Sequence, residues 1–212
     1  MIQNELKELW LNLIVPYYQS ADKSGELFEE IIKSYSGKNR YYHTCEHLAR
    51  MLELSLEYGH RLENIEVVRF AIFYHDIVYK TSRTDNESQS ATLASARLKQ
   101  LNVVEENVNA VVQFILATKK HQLVESRWKQ DLAYFLDFDL SVLGWQESEY
   151  RKYVSGIRLE YKQFPDFLFR SGRRKVVKSI LNKPTIFLTS EFRTRFEMQA
   201  QLNLKAELDS LT

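Results

Sequence analysis

The sequence holds one cysteine, Cys45, in 212 residues. That excludes an internal disulfide and a thiolate-rich metal site within one chain, and it fits a reducing compartment. Glycine and proline are scarce, at 6 and 3, and no run of alternating β-branched residues is closed by hairpin turns, so the pattern points to helices. No apolar stretch approaches the ~20 residues of a transmembrane helix. The N-terminal stretch carries Glu5, Lys7, Glu8 and Asn12 among its apolar positions, as an amphipathic helix does and a signal peptide does not. Neither sign of charge is in excess: 29 Lys+Arg face 28 Asp+Glu, a formal charge of +1, which gives no argument for nucleic acid or an anionic membrane. Internal repeats and low-complexity segments are also missing. The expectation is a cytoplasmic protein with neither membrane nor nucleic-acid partner, long enough to bury a proper core.

What is present is helical periodicity. The apolar spacing predicts a single all-α domain over residues 1–212. The first helix, Glu5 to Tyr18, carries Leu6, Leu9 and Leu13 and ends near Pro16. A second runs through Leu27, Phe28, Ile31 and Ile32, with Asp22 or Ser24 as cap and Gly37 closing it. A third places His47, Met51, Leu54 and Tyr58 on one stripe and stops at Gly59. A central helix, apolar on every side, is expected from Val67 to Tyr79. Helices are then predicted over Glu87–Leu101 (cap Asp85 or Asn86), Val104–Ala117, Trp128–Leu143 before Gly144, Gln146–Tyr161, Asp166–Leu181 and Glu191–Leu211 (cap Thr189 or Ser190). The last could pack against a second copy in a homodimer.

The central stretch contains the pair His75-Asp76. A carboxylate inside an apolar helix is costly unless compensated, and a divalent cation held by both side chains would compensate it. A buried His–Asp hydrogen bond without metal is the plainer alternative. His47 also lies on an apolar stripe. So does Asp139, which shares a face with Leu132, Phe135, Leu136, Val142 and Leu143, while Asp137 points about 200° away around the axis. Convergence of His47, His75, Asp76 and Asp139 would give a two-imidazole, two-carboxylate set. It would suit Mn²⁺, Fe²⁺, Co²⁺, Ni²⁺, Zn²⁺ or Mg²⁺ with positions left for water and substrate.

His47, then His75-Asp76, then a distant Asp139 resembles the signature of the HD superfamily of metal-dependent phosphohydrolases, named for that dipeptide. Tyr42-His43-Thr44-Cys45-Glu46-His47 is similar to the Tyr-His-x-x-x-His motif of the cyclic-nucleotide phosphodiesterases, and Phe138-Asp139-Leu140-Ser141 to their Ala-Asp-Leu-Ser. A bacterial branch of predicted HD phosphohydrolases is the nearest resemblance. It extends through Asn86-Glu87, Ala117-Thr118-x-x-His121, Asp137-x-Asp139-Leu140-Ser141-x-Leu143-Gly144, Ile157-Arg158-x-Glu160-Tyr161 and Asn203-Leu204. The resemblance covers roughly Arg40 to Leu208, with a motif core over about residues 40–162 on which the helices of 166–211 are expected to pack.

This resemblance implies His47, His75, Asp76 and Asp139 as metal ligands, and His43 as the group that protonates a leaving oxygen. His43 would stand one helical turn from the metal if its helix runs through it. Thr44 stands where the phosphodiesterases have Asn, and their clustered second-metal residues are missing; one metal site is expected, and a second would rest on water and a bridging Asp76. Glu87 would orient the nucleophilic water or simply complement a helix N-terminus. His121 with Lys119 and Lys120 would bind substrate phosphate or complement a helix C-terminus. Lys80 and Arg83 are further phosphate candidates with solvated side chains as the alternative. His60 and the run Arg170, Arg173, Arg174, Lys175 and Lys178 read as surface. The activity implied is hydrolysis of a phosphomonoester, phosphodiester or phosphoanhydride of a small molecule, a nucleotide being the expected substrate. The alternatives are an HD-type di-iron oxygenase and a metal- and nucleotide-binding regulator without turnover.

Overall fold

The computed structural model describes residues 2–17 and 21–211, with side chains from residue 25 onward in the second helix. Among them every regular element is helical and no strand occurs. The chain forms two compact units, Met1–Leu136 and Asp137–Thr212.

In the first unit, Leu6, Trp10, Leu13 and Ile14 recur at helical spacing and form the buried face of α1 (Ile2–Ile14). A 3₁₀ turn, Val15–Tyr17, follows; the expected extension to Tyr18 lies outside the described residues, as do the cap side chains Asp22 and Ser24. Helix α2 (Ala21–Tyr35) buries Leu27, Phe28, Ile31 and Ile32. Helix α3 (Cys45–Glu57) opens on Thr44, whose hydroxyl accepts from the Glu46 N–H. The central α4 (Ile65–Tyr74) is wholly buried from Phe70 to Tyr74, and Trp10 meets Phe70, Phe73 and Tyr74 edge-on, with centroids 6.2, 5.2 and 6.1 Å away. Its start is held by Asn64, which accepts from the Val67 N–H. The buried Asp131 of α7 (Lys129–Leu140) accepts from the backbone of Glu63 and Asn64 at 2.9 and 2.7 Å. Helices α5 (Asn86–Gln100) and α6 (Glu105–Ala117) pack on each other and on α4.

The central helix is shorter than its apolar run suggests. It stops at Tyr74, with His75 as its C-cap. The ladder ends because the next N–H groups find other acceptors: Asp76 donates to the Tyr35 hydroxyl, Ile77 to the Tyr74 carbonyl and Val78 to Ser90 Oγ. His75-Asp76 therefore ends the helix rather than interrupting it, and Asp76 keeps 18% of its side chain exposed.

The second unit begins inside α7 and continues through a 3₁₀ turn, Ser141–Gly144, then α8 (Glu147–Glu160), α9 (Asp166–Leu181), α10 (Ser190–Phe192), a π-helical turn (Arg193–Glu197) and α11 (Met198–Ser210). The expected final helix is thus two segments joined by a π turn, and Thr189 is the N-cap, its side chain accepting from Phe192. Asn203 donates from Nδ2 to the carbonyls of Leu143 and Trp145, at 2.8 Å each, fastening α11 to the 3₁₀ turn. Gly144 is needed there: a Cβ would meet the Phe196 carbonyl oxygen at 2.7 Å and its Cα at 2.9 Å. Gly144→Ala is expected to cost about 1–3 kcal/mol, the range for overpacking, read as a lower midpoint in urea unfolding. Arg173, expected on a solvated face, is buried instead, in an ion pair with Glu207. No helix among the described residues is long and apolar enough to cross a membrane.

Candidate metal centre

His47 sits in the first turn of α3 and faces the core with 4% exposure. His75 closes α4 at 1% exposure. Their Nε2 atoms stand 3.1 Å apart. The other ring nitrogen of His75, Nδ1, lies 2.8 Å from the Ile72 carbonyl oxygen. A carbonyl only accepts, so Nδ1 carries the proton and the neutral imidazole presents a lone pair at Nε2. That lone pair faces both His47 and Asp76 Oδ2, the latter at 3.3 Å. A nitrogen lone pair against a carboxylate oxygen is repulsive until a proton or a cation comes between them. The arrangement is also the usual one for a ligating histidine, whose second nitrogen donates to a backbone carbonyl. Two imidazole nitrogens, each about 2.1 Å from one ion and about 90–110° apart around it, stand about 3.0–3.4 Å from each other. The donor set fits a divalent cation.

Helix α7 runs unbroken to Leu140 and carries Asp139 in its last turn. One ligand atom from each of His47, His75 and Asp139 lies within 4.8 Å of the other two, a group that could hold a metal ion. Asp76 adjoins this group through His75.

His43 Nε2 approaches Asp76 Oδ2 at 3.6 Å. It does so from a loop, since α3 begins at Cys45 behind its cap Thr44; the helical relation to His47 considered from the sequence does not exist. The ring of His43 lies over Tyr79, with centroids 4.2 Å apart and planes 33° from parallel, and Tyr42 meets it edge-on at 4.9 Å.

Comparison of the chain with family models, curated proteins and solved structures gave no match in any of the three. The geometry therefore stands on its own chemistry.

Asp137, the rival to Asp139, has a different task. It is fully buried and accepts from the Leu188 N–H at 2.8 Å and from the Thr189 N–H and hydroxyl at 2.7 Å each. Burial pushes its carboxyl up to about 6 against the pull of these donors. Glu87 occupies the first turn of α5. Lys80, Arg83 and Lys119 gather about one loop: Lys80 exchanges backbone bonds with the Asn86 amide, Arg83 pairs with Asp85 at 2.6 Å, and Lys119 Nζ donates to the Thr84 carbonyl at 2.8 Å. His121 takes a left-handed backbone conformation, φ 46°, and its N–H bonds to the Ala117 carbonyl, a helix-ending role more often given to glycine or asparagine. His60 is exposed, in the 3₁₀ turn Gly59–Arg61.

The aromatic and cationic surroundings of His43 were not singled out from the sequence. Tyr42 enters there only within the Tyr-His motif, and Tyr79 only as the end of the central apolar stretch. The available signal was the crowding of Arg40-Tyr41-Tyr42 immediately before His43.

Proposed function

We propose that this protein is a metal-dependent phosphohydrolase of HD type, acting in the cytoplasm on a small phosphorylated molecule, a nucleotide being the favoured substrate. The observation that carries the reading is the meeting of two imidazole nitrogens at 3.1 Å with a carboxylate oxygen 3.3 Å from one of them, where that imidazole's other nitrogen is committed to a carbonyl. His47, His75 and Asp139 would hold the ion, with Asp76 beside them. A bound divalent cation would supply Lewis acidity at a phosphoryl oxygen and an acidified water. His43 would donate its proton to the leaving oxygen as the ester or anhydride P–O bond breaks, and Asp76 would keep that imidazole charged and aimed. Glu87 would take the proton of the incoming water, and Lys80, Arg83, Lys119 and His121 would offset phosphate charge.

The test is elemental analysis of the purified protein, followed by phosphate release from nucleotides and sugar phosphates with Mn²⁺, Fe²⁺, Co²⁺, Ni²⁺, Zn²⁺ and Mg²⁺ in turn. Near-stoichiometric metal and turnover with at least one ion are expected. Protein that binds none of these ions and releases no phosphate overturns the proposal. Two irons per chain with a mixed-valent signal would transfer it to oxygen chemistry.

A further inference from the structure

Resting on the hydrolase reading above, we infer that Arg40 is the positioning residue that sets His43 against Asp76. The problem it solves is geometric. His43 is not on α3, so no helical backbone fixes its distance to the metal ligands, and Asp76 lies just past the end of α4. Each segment lacks the rigidity of a helix where the approach is made.

The guanidinium of Arg40 bridges the two segments. Nη1 donates to the carbonyl of His43 itself at 3.1 Å, and Nη2 donates to the carbonyl of Ile77, the residue after Asp76, at 3.0 Å. A planar fork donating in two fixed directions thus holds the two stretches of backbone at one spacing. Its carbon stands 4.7 Å from the Tyr35 ring centroid and 5.5 Å from that of Tyr79. Both rings have second contacts in the same place: the Tyr35 hydroxyl accepts the Asp76 N–H at 3.1 Å, and Tyr79 underlies the His43 imidazole. Arg40 is therefore tied to His43 by one carbonyl and one shared ring, and to Asp76 by one carbonyl and one shared tyrosine. Lysine would keep the charge but could neither make two divergent planar bonds nor stack.

The test uses the full chain with Mg²⁺ and compares Arg40→Lys with the natural protein. By NMR, the natural protein is expected to show nuclear Overhauser contacts between the His43 and Tyr79 rings, and Arg40→Lys to lose them while keeping its metal content. With adenosine 5′-monophosphate, whose alkoxide leaving oxygen needs a proton, and Mn²⁺, kcat should fall about 10- to 100-fold, the scale of a small misplacement, with KM within about 2-fold. In a His43→Gln background the same change should lower kcat no further. Should Arg40→Lys not fold, Arg40→Gln, which keeps one donor group, takes its place. Persistence of the ring contacts with unchanged kcat overturns the inference. So does an equal loss in the His43→Gln background, or loss of bound metal, since either would make Arg40 a general structural group. If the natural protein releases no phosphate from any substrate, the hydrolase reading fails while the ring contacts still decide the role of Arg40.

Discussion

His75→Ala is expected to lower metal content to less than about a tenth of the natural level and phosphate release by about a thousandfold or more. The size follows from how many roles meet in one ring. Its Nε2 faces His47 and Asp76, and its Nδ1 is held by the Ile72 carbonyl. Alanine removes a ligand and leaves His47 without the geometry that pairs it. A stability measurement separates this from ordinary core damage. A cation binding only the folded protein at about 100 times its Kd stabilises by about 2.7 kcal/mol, which is a rise of about 5–10 °C in Tm for a chain of this size. The natural protein should show that rise with Mn²⁺, and His75→Ala should show none. Asp76→Asn keeps the shape and removes the charge; it should retain part of the Mn²⁺-dependent rise and lose most turnover, because the amide no longer favours a charged His43. An unchanged metal content in His75→Ala would falsify the proposed centre.

The helical class was readable because absence carried it: few glycines and prolines, no alternating strands, and long 3.6-residue periodicity. Helix α9 begins and ends where the spacing places it, and α6 begins one residue inside its predicted start. The central helix was overrun because hydrophobicity reports burial and not hydrogen bonding. Ile77 is buried just past the end of α4, so the apolar run continues while the ladder has already passed to Tyr35 and Ser90. The π turn before α11 was equally invisible, since a single extra residue in a helix leaves both flanking stripes apolar.

The candidate centre was legible where face arguments apply. His47 lies on the buried stripe of α3, and Asp139 is set apart from Asp137 by helical angle together with the Asp-Leu-Ser match, while Asp137 is taken up by its bonds to Leu188 and Thr189. The setting of His43 was not legible. It depends on a loop, and the groups that fix it come from three separate elements: Tyr35 at the end of α2, Arg40 in the loop itself and Tyr79 beyond α4. Nothing in the spacing of loop residues reports which carbonyl a guanidinium will reach. Arg173 was misread for a related reason. A basic run marks a helix face as charged, but whether one member finds a buried carboxylate depends on a helix some 30 residues on.

That pair carries the second large effect, on stability rather than chemistry. Arg173 donates from Nε and Nη2 to the two oxygens of Glu207 at 2.7 and 3.0 Å and from Nη1 to the Tyr153 hydroxyl at 3.0 Å. The Tyr150 hydroxyl donates to the same carboxylate. The side chains of Arg173 and Glu207 are 8% and 4% exposed. An exposed pair would be worth at most ~1 kcal/mol, but a buried one with a partner removed leaves an uncompensated charge and costs about 3–5 kcal/mol. Glu207→Leu and Arg173→Met should each fall in that range, lowering Tm by about 6–20 °C. The double variant should be less destabilised than either single one, because an apolar pair of similar volume needs no compensation. It should not return to the natural value while Tyr150 stays, since its hydroxyl would then be buried without an acceptor, at about 1–3 kcal/mol. Adding Tyr150→Phe should recover that part. Additive losses in the two single variants would show that water reaches the pair, and that α8, α9 and α11 are held together by their apolar faces alone.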